Sequence, residues 1–138
     1  PETRFIEVFA RRGLVVDFSG SWILPRIIGV QKAKELMMTA TEISGTKLND
    51  YGVLYKLVEK PDLDTELDNL VSLLDKQSFI SICMIKDQIR KGLNTNFDES
   101  LSNETDNQNS RFVHSDVMEG MSAFIEKRQP EYKNTLDE

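Results

Sequence analysis

The sequence has few of the residues that form disulfides and metal sites. Its 138 residues include one cysteine, Cys83, and one histidine, His114. A single cysteine cannot form an internal disulfide, which fits a reducing cytoplasm. One cysteine and one histidine are also too few for a zinc site built by protein ligands alone. We therefore expect a cytoplasmic protein without a metal, in which Cys83 and His114 have packing and loop roles.

Long apolar runs and an excess of positive charge are also absent. The apolar stretches are interrupted by charge or proline, as in WILPRII at residues 22–28, and none approaches the roughly 20 residues that span a bilayer. The formal net charge of −6 argues against a surface that follows nucleic-acid phosphates. We expect neither a membrane nor a nucleic acid as partner. Because the chain begins with proline and not methionine, we also expect it to be cut from a longer protein.

The first part of the chain predicts short strands and helices. Residues 5–10 are mostly apolar and predict a buried strand, and residues 53–59 predict a second one. Between them, apolar spacing predicts helices over residues 22–28 and 30–40, with Pro25 near the start of the first. Ser44 and Gly52 are expected to begin and end a third helix.

After residue 60 the pattern predicts helices only. Apolar stripes recur over residues 67–74 and 79–89, and a last helix is expected to begin at a capping box of Asp116 and Glu119. Residues 101–112 are so polar that disorder is the alternative to a helix. The apolar helical faces exceed what the few strands could cover, so some should pack against another chain or a missing half.

Several motifs follow one another in the order of a known family. They are GLVVD at residues 13–17, SGSWILPRIIG at 19–29, AKEL and IS at 33–36 and 43–44, YGVL at 51–54, and EGMSAFIEKR at 119–128. They resemble the GLVPD, GGSWLLPRLVG, AxEL…G..IS, GLV and EGMSAFxEKR motifs of the enoyl-CoA hydratase/isomerase (crotonase) superfamily. Because they cover nearly the whole chain in the right order, the sequence is identified as a member of that superfamily.

The resemblance implies an α/β fold that is mostly helical in this chain. Residues 1–60 would form the end of a crotonase-like spiral of ββα units, and residues 61–138 a C-terminal helical region that builds trimers. The chain would then be the C-terminal half of a subunit and would assemble into a homo-oligomer based on a trimer. The two backbone N–H donors of the family's oxyanion hole would lie upstream of Pro1, so we expect the chain alone to be inactive.

Asp17 is the catalytic candidate. The resemblance places it where isomerases of the family carry an aspartate that moves a proton on the acyl chain, and Val15, Val16 and Phe18 would supply apolar walls for such a base. The alternative is a turn aspartate that accepts hydrogen bonds from local N–H groups. Glu7 has no matching family role and is interpreted as a surface charge.

Phe9 departs from the family pattern. It stands where hydratases carry the glutamate that activates water, and its side chain has no group that could do so. Val16 in place of the usual proline and Ser19 in place of the usual glycine alter the turn that aims Asp17.

Four further residues are candidates for substrate binding. Phe124 and Lys127 match positions that reach the adenine and phosphates of coenzyme A, and as helical residues three apart they would face one groove. Trp22 and Leu24 would line the acyl pocket. The alternatives are core packing for Phe124, Trp22 and Leu24 and a solvated Lys127. Coenzyme A would enter only as part of an acyl-CoA thioester substrate, and no separate cofactor is expected.

Three functions follow from these residues. The first is an enoyl-CoA isomerase that shifts or rearranges a double bond through a CoA-thioester enolate, with Asp17 as base. The alternatives are an enoyl-CoA hydratase whose acid and base groups lie in the missing half, and a non-catalytic CoA-binding or oligomerisation module. Phe9 favours the first and third over the second.

Overall fold

Two consecutive helices form the core of the N-terminal part of the chain in this computed structural model, which describes residues 1–133. They are α1 (Gly20–Ile28) and α2 (Val30–Thr39). Gly29 joins them with a φ of 80°, which side-chain-bearing residues rarely adopt. Leu24, Ala33 and Leu36 are buried together between the two helices, and the helical spacing of Ala33 and Leu36 predicts that they share a face.

A short antiparallel ladder packs on this helix pair. β1 (Arg4–Phe5) pairs with β2 (Ile43–Ser44), and Phe5 and Ile43 contact the core. The Arg4 guanidinium donates two hydrogen bonds to the Glu42 carboxylate, at 2.5 and 2.6 Å. The Ser44 hydroxyl then accepts the Lys47 N–H (3.2 Å) and begins α3 (Gly45–Asp50), as predicted. These elements belong to the first of two compact units, residues 1–66.

The second unit begins at Leu67, and its described residues form helices joined by short connections. α4 (Leu63–Asp75) leads into α5 (Phe79–Gly92), α6 (Phe97–Arg111) and α7 (Ser115–Glu126). Each of the last three helices begins at a residue whose side chain accepts a backbone N–H of the first turn. These residues are Ser78, Asn96 and His114 in turn. The residues that this unit buries are mostly polar: Ser78, Arg111 and Asp116, together with Ala123.

The polar segment at residues 101–112 lies almost wholly in α6, so the helix prediction is confirmed there. The strand prediction for residues 53–59 is wrong, and the strand predicted at residues 5–10 pairs only at Arg4–Phe5 before a 3-10 helix at Ala10–Arg12. A strand needs a hydrogen-bonded neighbour. In the described part of the chain, β1 and β2 pair only with each other, so apolar composition alone did not produce further strands.

Two helix starts also differ from the prediction. α1 begins at Gly20, which puts Pro25 in the helix interior and not in its first turn. α7 is capped by His114, whose Nδ1 accepts the Asp116 N–H (3.2 Å), and not by a box of Asp116 and Glu119. Both carboxylates have other partners, which are Ser78 for Asp116 and Arg128 for Glu119.

Candidate active site

Asp17 lies in a strained turn that leads directly into α1. The Gly20 N–H donates to the Asp17 carbonyl oxygen (2.8 Å), and the Trp22 N–H donates to the Ser19 carbonyl oxygen (2.9 Å). Phe18 and Ser19 both have positive φ angles, 48° and 61°. Each such residue without glycine's freedom costs of the order of 1–3 kcal/mol, and strain of this kind concentrates at functional sites. The turn therefore supports Asp17 as a functional candidate.

The turn also leaves no room for a side chain at Gly20. A Cβ at that position would lie 2.7 Å from Cγ1 of Val16, a distance that nonbonded carbons essentially never show. Val16 and Ser19, the two departures from the family pattern that lie near Asp17, are thus both part of a tight turn. The backbone at Asp17 therefore has a defined direction with valine at position 16 and serine at position 19.

The apolar neighbours of Asp17 do not enclose it. Val15 is 86% exposed and Phe18 is 94% exposed, and Asp17 itself is exposed. The expectation that Val15, Val16 and Phe18 form walls around the carboxylate is wrong for the described residues, because two of the three side chains lie in solvent. The Asp17 carboxylate is instead open to a substrate or to a neighbouring chain.

Glu7 is not the surface charge that the sequence predicts. Its Oε2 atom is buried and has no hydrogen-bond partner in the described part of the chain. Burial, and secondarily the negative charge of Asp17, raise the pKa of the Glu7 carboxyl. The structure therefore brings two carboxyl groups within electrostatic reach of each other. The sequence shows no sign of this, since an isolated glutamate is mostly exposed.

The loop between Glu7 and Asp17 is held in place by backbone and side-chain contacts. The Phe9 carbonyl oxygen accepts the N–H groups of Arg12 and Leu14, both at 2.9 Å. Nη2 of Arg11 donates to the Ala40 carbonyl oxygen at the end of α2 (2.8 Å). Phe9 itself is half-buried, and its side chain has no proton acceptor.

The two acyl-pocket candidates have different surroundings. Leu24 is 6% exposed and belongs to the core of α1 and α2, the packing role that was the alternative for it. Trp22 is half-buried, and the Arg26 guanidinium lies over its ring, 3.8 Å from the centroid. The Arg26 Nη1 also donates to the Trp22 carbonyl oxygen (2.9 Å). The acyl-binding roles of Trp22 and Leu24 stay predictions.

Phe124 and Lys127 do not share a helix face in the way the spacing predicts. Phe124 is 81% exposed on α7, so it is not a core residue. Lys127 follows the last residue of α7 and has a positive φ of 56°, because the helix ends there. Its N–H donates to the Phe124 carbonyl oxygen (3.3 Å). Both side chains are accessible, and their role in coenzyme A binding stays a prediction.

Arg128 forms ion pairs with two glutamates beside Lys127, and no sequence pattern indicated them. Arg128 donates to both carboxylate oxygens of Glu119, at 2.6 and 2.9 Å, and to Glu126 at 2.6 Å. The Arg128 hydrogen bonds, with one from the Glu131 N–H, lower the pKa of Glu119 to about 2. These contacts fix the chain directly after Lys127, so they position the predicted phosphate-binding cation.

Within residues 1–133, no group of three or more His, Cys, Asp or Glu side chains could hold a metal ion. In the same residues, no helix is both long enough and apolar enough to cross a bilayer. Cys83 is exposed. His114 is not a loop residue without a role, because it caps α7 and contacts Arg111 at 3.0 Å through Nδ1.

Comparison with known proteins assigns the chain to a family. The family model described as "Enoyl-CoA hydratase/isomerase" matches residues 1–135. Among curated relatives, a trans-2-decenoyl-[acyl-carrier-protein] isomerase from Streptococcus mutans is 32% identical, over 95% of this chain and 50% of its own length. A 1,2-epoxyphenylacetyl-CoA isomerase from Escherichia coli is 29% identical, over 94% of this chain and 49% of its own. The chain thus spans about half the length of the curated relatives it matches.

Solved structures support the same fold. An enoyl-CoA hydratase from a Polaromonas species superposes with a TM-score of 0.89 at 29% identity. The match covers 95% of this chain and 51% of that one. The mostly helical α/β arrangement is therefore crotonase-like, as the motifs predicted.

Proposed function

Because the chain belongs to the enoyl-CoA hydratase/isomerase family, we propose that it carries the catalytic base of an enoyl-thioester isomerase, and that this base is Asp17. The observation that carries the proposal is the turn at residues 17–20. Phe18 and Ser19 hold unfavourable backbone angles, and the result is an exposed carboxylate at the start of α1. Backbone strain of this kind clusters at functional sites, which supports a role for the turn.

The proposed step is a proton transfer within the acyl chain. The Asp17 carboxylate takes a proton from one carbon of the unsaturated acyl group, and the electron pair of that C–H bond moves toward the thioester to form an enolate. The resulting Asp17 carboxylic acid then returns the proton to a different carbon, while the double bond shifts. No water is added and no redox partner is needed, so the step fits a site with one carboxylate.

We propose further that this chain is the C-terminal half of a subunit. Its length is about half that of its relatives, and the motifs that resemble the family begin with the GLVVD turn and end with EGMSAFIEKR. The oxyanion-hole N–H groups that stabilise a thioester enolate would come from the other half. The helices of the second unit would then form the trimer contacts of the family. On this proposal the chain alone has no measurable turnover.

Phe124 and Lys127 are the proposed contacts for coenzyme A. An exposed aromatic ring suits a nucleotide base, and the Lys127 ammonium suits its phosphates. One relative is named for an acyl-carrier-protein substrate and another for a CoA substrate. Both carriers attach the acyl group through a thioester, so the proposed chemistry at Asp17 is the same for either.

Two other functions are weaker candidates. A hydratase would need its acid and base groups outside this chain, because Phe9 supplies neither. A non-catalytic CoA-binding or oligomerisation module would have no use for the strained turn at Phe18 and Ser19. For these reasons we favour the isomerase.

The test is Asp17→Asn in a protein where an N-terminal half from a relative is joined before Pro1. We expect the rate of double-bond migration in 3-enoyl-CoA and 3-enoyl-acyl-carrier-protein to fall by roughly 10²- to 10⁴-fold, the usual contribution of general acid–base catalysis. Asp62→Asn, which removes an exposed carboxylate elsewhere in the same unit, is the matched control. An unchanged rate in Asp17→Asn, with unchanged thermal unfolding, would make Asp17 a turn residue only.

A further inference from the structure

The last turn of α7 ends in a conformation that favours glycine, yet the residue there is a lysine. Lys127 has φ 56° and ψ 38°, in the left-handed region. Its N–H donates to the Phe124 carbonyl oxygen (3.3 Å), and the Arg128 N–H donates to that of Ala123 (3.0 Å), which is the hydrogen-bond pattern of a Schellman motif. Glycine adopts this position without strain, so the Lys127 side chain is present at a cost in stability.

The Lys127 ammonium has no counter-ion in the part of the chain that the structure describes. The side chain is exposed, and no carboxylate of residues 1–133 forms an ion pair with it. Glu126, its neighbour in the chain, pairs instead with Nε of Arg128 (2.6 Å). Such a cation is available to an anion from outside the chain. The structural alternative is a lysine that only complements the dipole at the end of a helix.

Arg128, the next residue, holds this turn against α7. Its two Nη atoms donate to the two carboxylate oxygens of Glu119, at 2.6 and 2.9 Å. Glu119 is half-buried on α7, about two helical turns before Lys127. A bidentate arginine–carboxylate pair fixes geometry as well as charge, unlike a single exposed contact. The position of residue 128, and with it the turn at residue 127, therefore depends on Glu119.

The segment after Arg128 is fastened to the same helix. The Glu131 N–H donates to Oε1 of Glu119 (2.8 Å). Tyr132 packs over Gly120, where a Cβ would lie 3.1 Å from the Tyr132 hydroxyl oxygen. The chain thus folds back along α7 directly after the turn, and one carboxylate, that of Glu119, receives hydrogen bonds from two points of the returning segment.

We propose that Glu119 is a positioning residue for an anion site at Lys127. By binding Arg128 and the Glu131 N–H, it keeps the turn closed and holds the Lys127 ammonium in one place, free of acidic partners. The anion is a phosphate group of coenzyme A, and this part of the inference rests on the proposed function. Glu119 and Arg128 act through the backbone of the turn and do not contact the phosphate.

The site can be tested without turnover, because Phe124 and Lys127 both lie in this chain. Coenzyme A is titrated into the chain itself, and the amide NMR signals of Lys127 and Arg128 report binding. We expect these signals to shift at millimolar coenzyme A and to stay in place with pantetheine, which lacks the phosphates. Wild-type signals at residues 127 and 128 that coenzyme A leaves unchanged would overturn the inference.

Glu119→Gln separates positioning from charge by the sign of its effect. If Glu119 acts only as a nearby negative charge, its removal should tighten the binding of an anion. If it positions the turn, binding should weaken, and we expect Kd for coenzyme A to rise by about 3- to 10-fold, the usual worth of a lost hydrogen bond. Glu104→Gln, at an exposed site on α6, removes the same charge from the same unit and is the matched control. A lower Kd in Glu119→Gln contradicts the proposal.

Arg128→Lys tests the same contact with every formal charge kept. Lysine cannot form the two parallel hydrogen bonds of a guanidinium, so the turn loses its clamp while the net charge stays the same. We expect Kd to rise by about as much as in Glu119→Gln. Thermal unfolding of each variant sets the temperature at which it is fully folded for the titration. An unchanged Kd in folded Arg128→Lys would overturn the positioning role.

Lys127→Gly tests the lysine itself. Because glycine suits the left-handed position, the thermal midpoint of the chain should rise by about 2–4 °C. The Kd for coenzyme A should rise by about 10-fold or more, as expected for the loss of a charge-assisted hydrogen bond. A lower midpoint with an unchanged Kd would show that Lys127 serves only the end of the helix. None of these measurements involves Asp17, so the proposed base can fail while this inference stands, and the reverse.

Discussion

The Ser78 hydroxyl donates a 2.5 Å hydrogen bond to Oδ2 of Asp116, which lies 38 residues further along the chain. Both residues are 7% exposed. The same Asp116 oxygen accepts from Nη2 of Arg111 at 3.3 Å, and His114 completes the cluster through its contact with Arg111. The residue that begins α5 is thereby tied to the start of α7 through buried polar groups, in a unit that buries few apolar ones.

Removal of the Ser78 hydroxyl or of the Asp116 carboxylate should destabilise the second unit. We expect Ser78→Ala to lower the free energy of unfolding by about 1–3 kcal/mol, because it leaves a buried carboxylate with one donor fewer. Asp116→Ala should cost about 3–5 kcal/mol, since it leaves the Arg111 guanidinium buried without its counter-charge. Urea unfolding followed by circular dichroism measures both. Ser102→Ala, at an exposed site on α6, is the control, and equal effects in the two serine variants would contradict the prediction.

Acid should weaken the Glu119–Arg128 pair. The pKa of Glu119 is lowered to about 2 in the folded protein, mainly by the hydrogen bonds from Arg128. A carboxyl group with a depressed folded pKa stabilises the fold above its ordinary pKa, and this contribution is lost as pH falls through the ordinary value toward 2. The thermal midpoint of the wild type should therefore drop more steeply between about pH 5 and pH 2 than that of Glu119→Gln. Parallel curves of thermal midpoint against pH for the two proteins would show that the Glu119–Arg128 pair adds nothing to stability.

Phe9→Glu tests whether the residue at position 9 alone separates this chain from the hydratases. The substitution places a carboxylate at the position where the resemblance predicts the water-activating glutamate of hydratases, on a half-buried site before Ala10–Arg12. We expect no gain of hydration when the joined N-terminal half comes from an isomerase relative, because a carboxylate at residue 9 does not also supply the second acid/base group of that reaction. The measurement is an analysis of the reaction products for a 3-hydroxyacyl thioester. Appearance of that product would mean that a single side chain separates the two activities.

The chain should self-associate through its exposed apolar stripes. On α4, Leu63, Leu67, Val71 and Leu74 recur at helical spacing and are each 46–56% exposed. A stripe of that kind marks an interaction surface. We expect oligomers, with a trimer as the predicted state, in sedimentation velocity at micromolar concentrations. Val71→Glu should shift the distribution toward monomer, whereas the neighbouring exposed substitution Ser72→Glu should not. A wild type that sediments only as monomer would refute the prediction.

The helices were largely predictable from local information. The spacing of Ala33 and Leu36 predicted the buried face of α2, and Ser44 predicted the start of α3, because both signals act within one or two helical turns. Residues 53–59 were not predictable in the same way, since strand formation depends on a partner that local composition does not reveal. The candidate base was found through the family motif at residues 13–17, and not from any property of Asp17 taken alone.

The sequence by itself determined the family, the order of the helices and the absence of a carboxylate at Phe9, because each of these depends on residues close together in the chain. Only the tertiary structure decided that one carboxylate oxygen of Glu7 is buried, that Lys127 lies beyond the end of α7, and that Ser78 pairs with Asp116. Burial and ion pairing depend on which distant segments come together, and their energies change with the water that those contacts exclude. A residue pattern does not show directly which contacts exclude water.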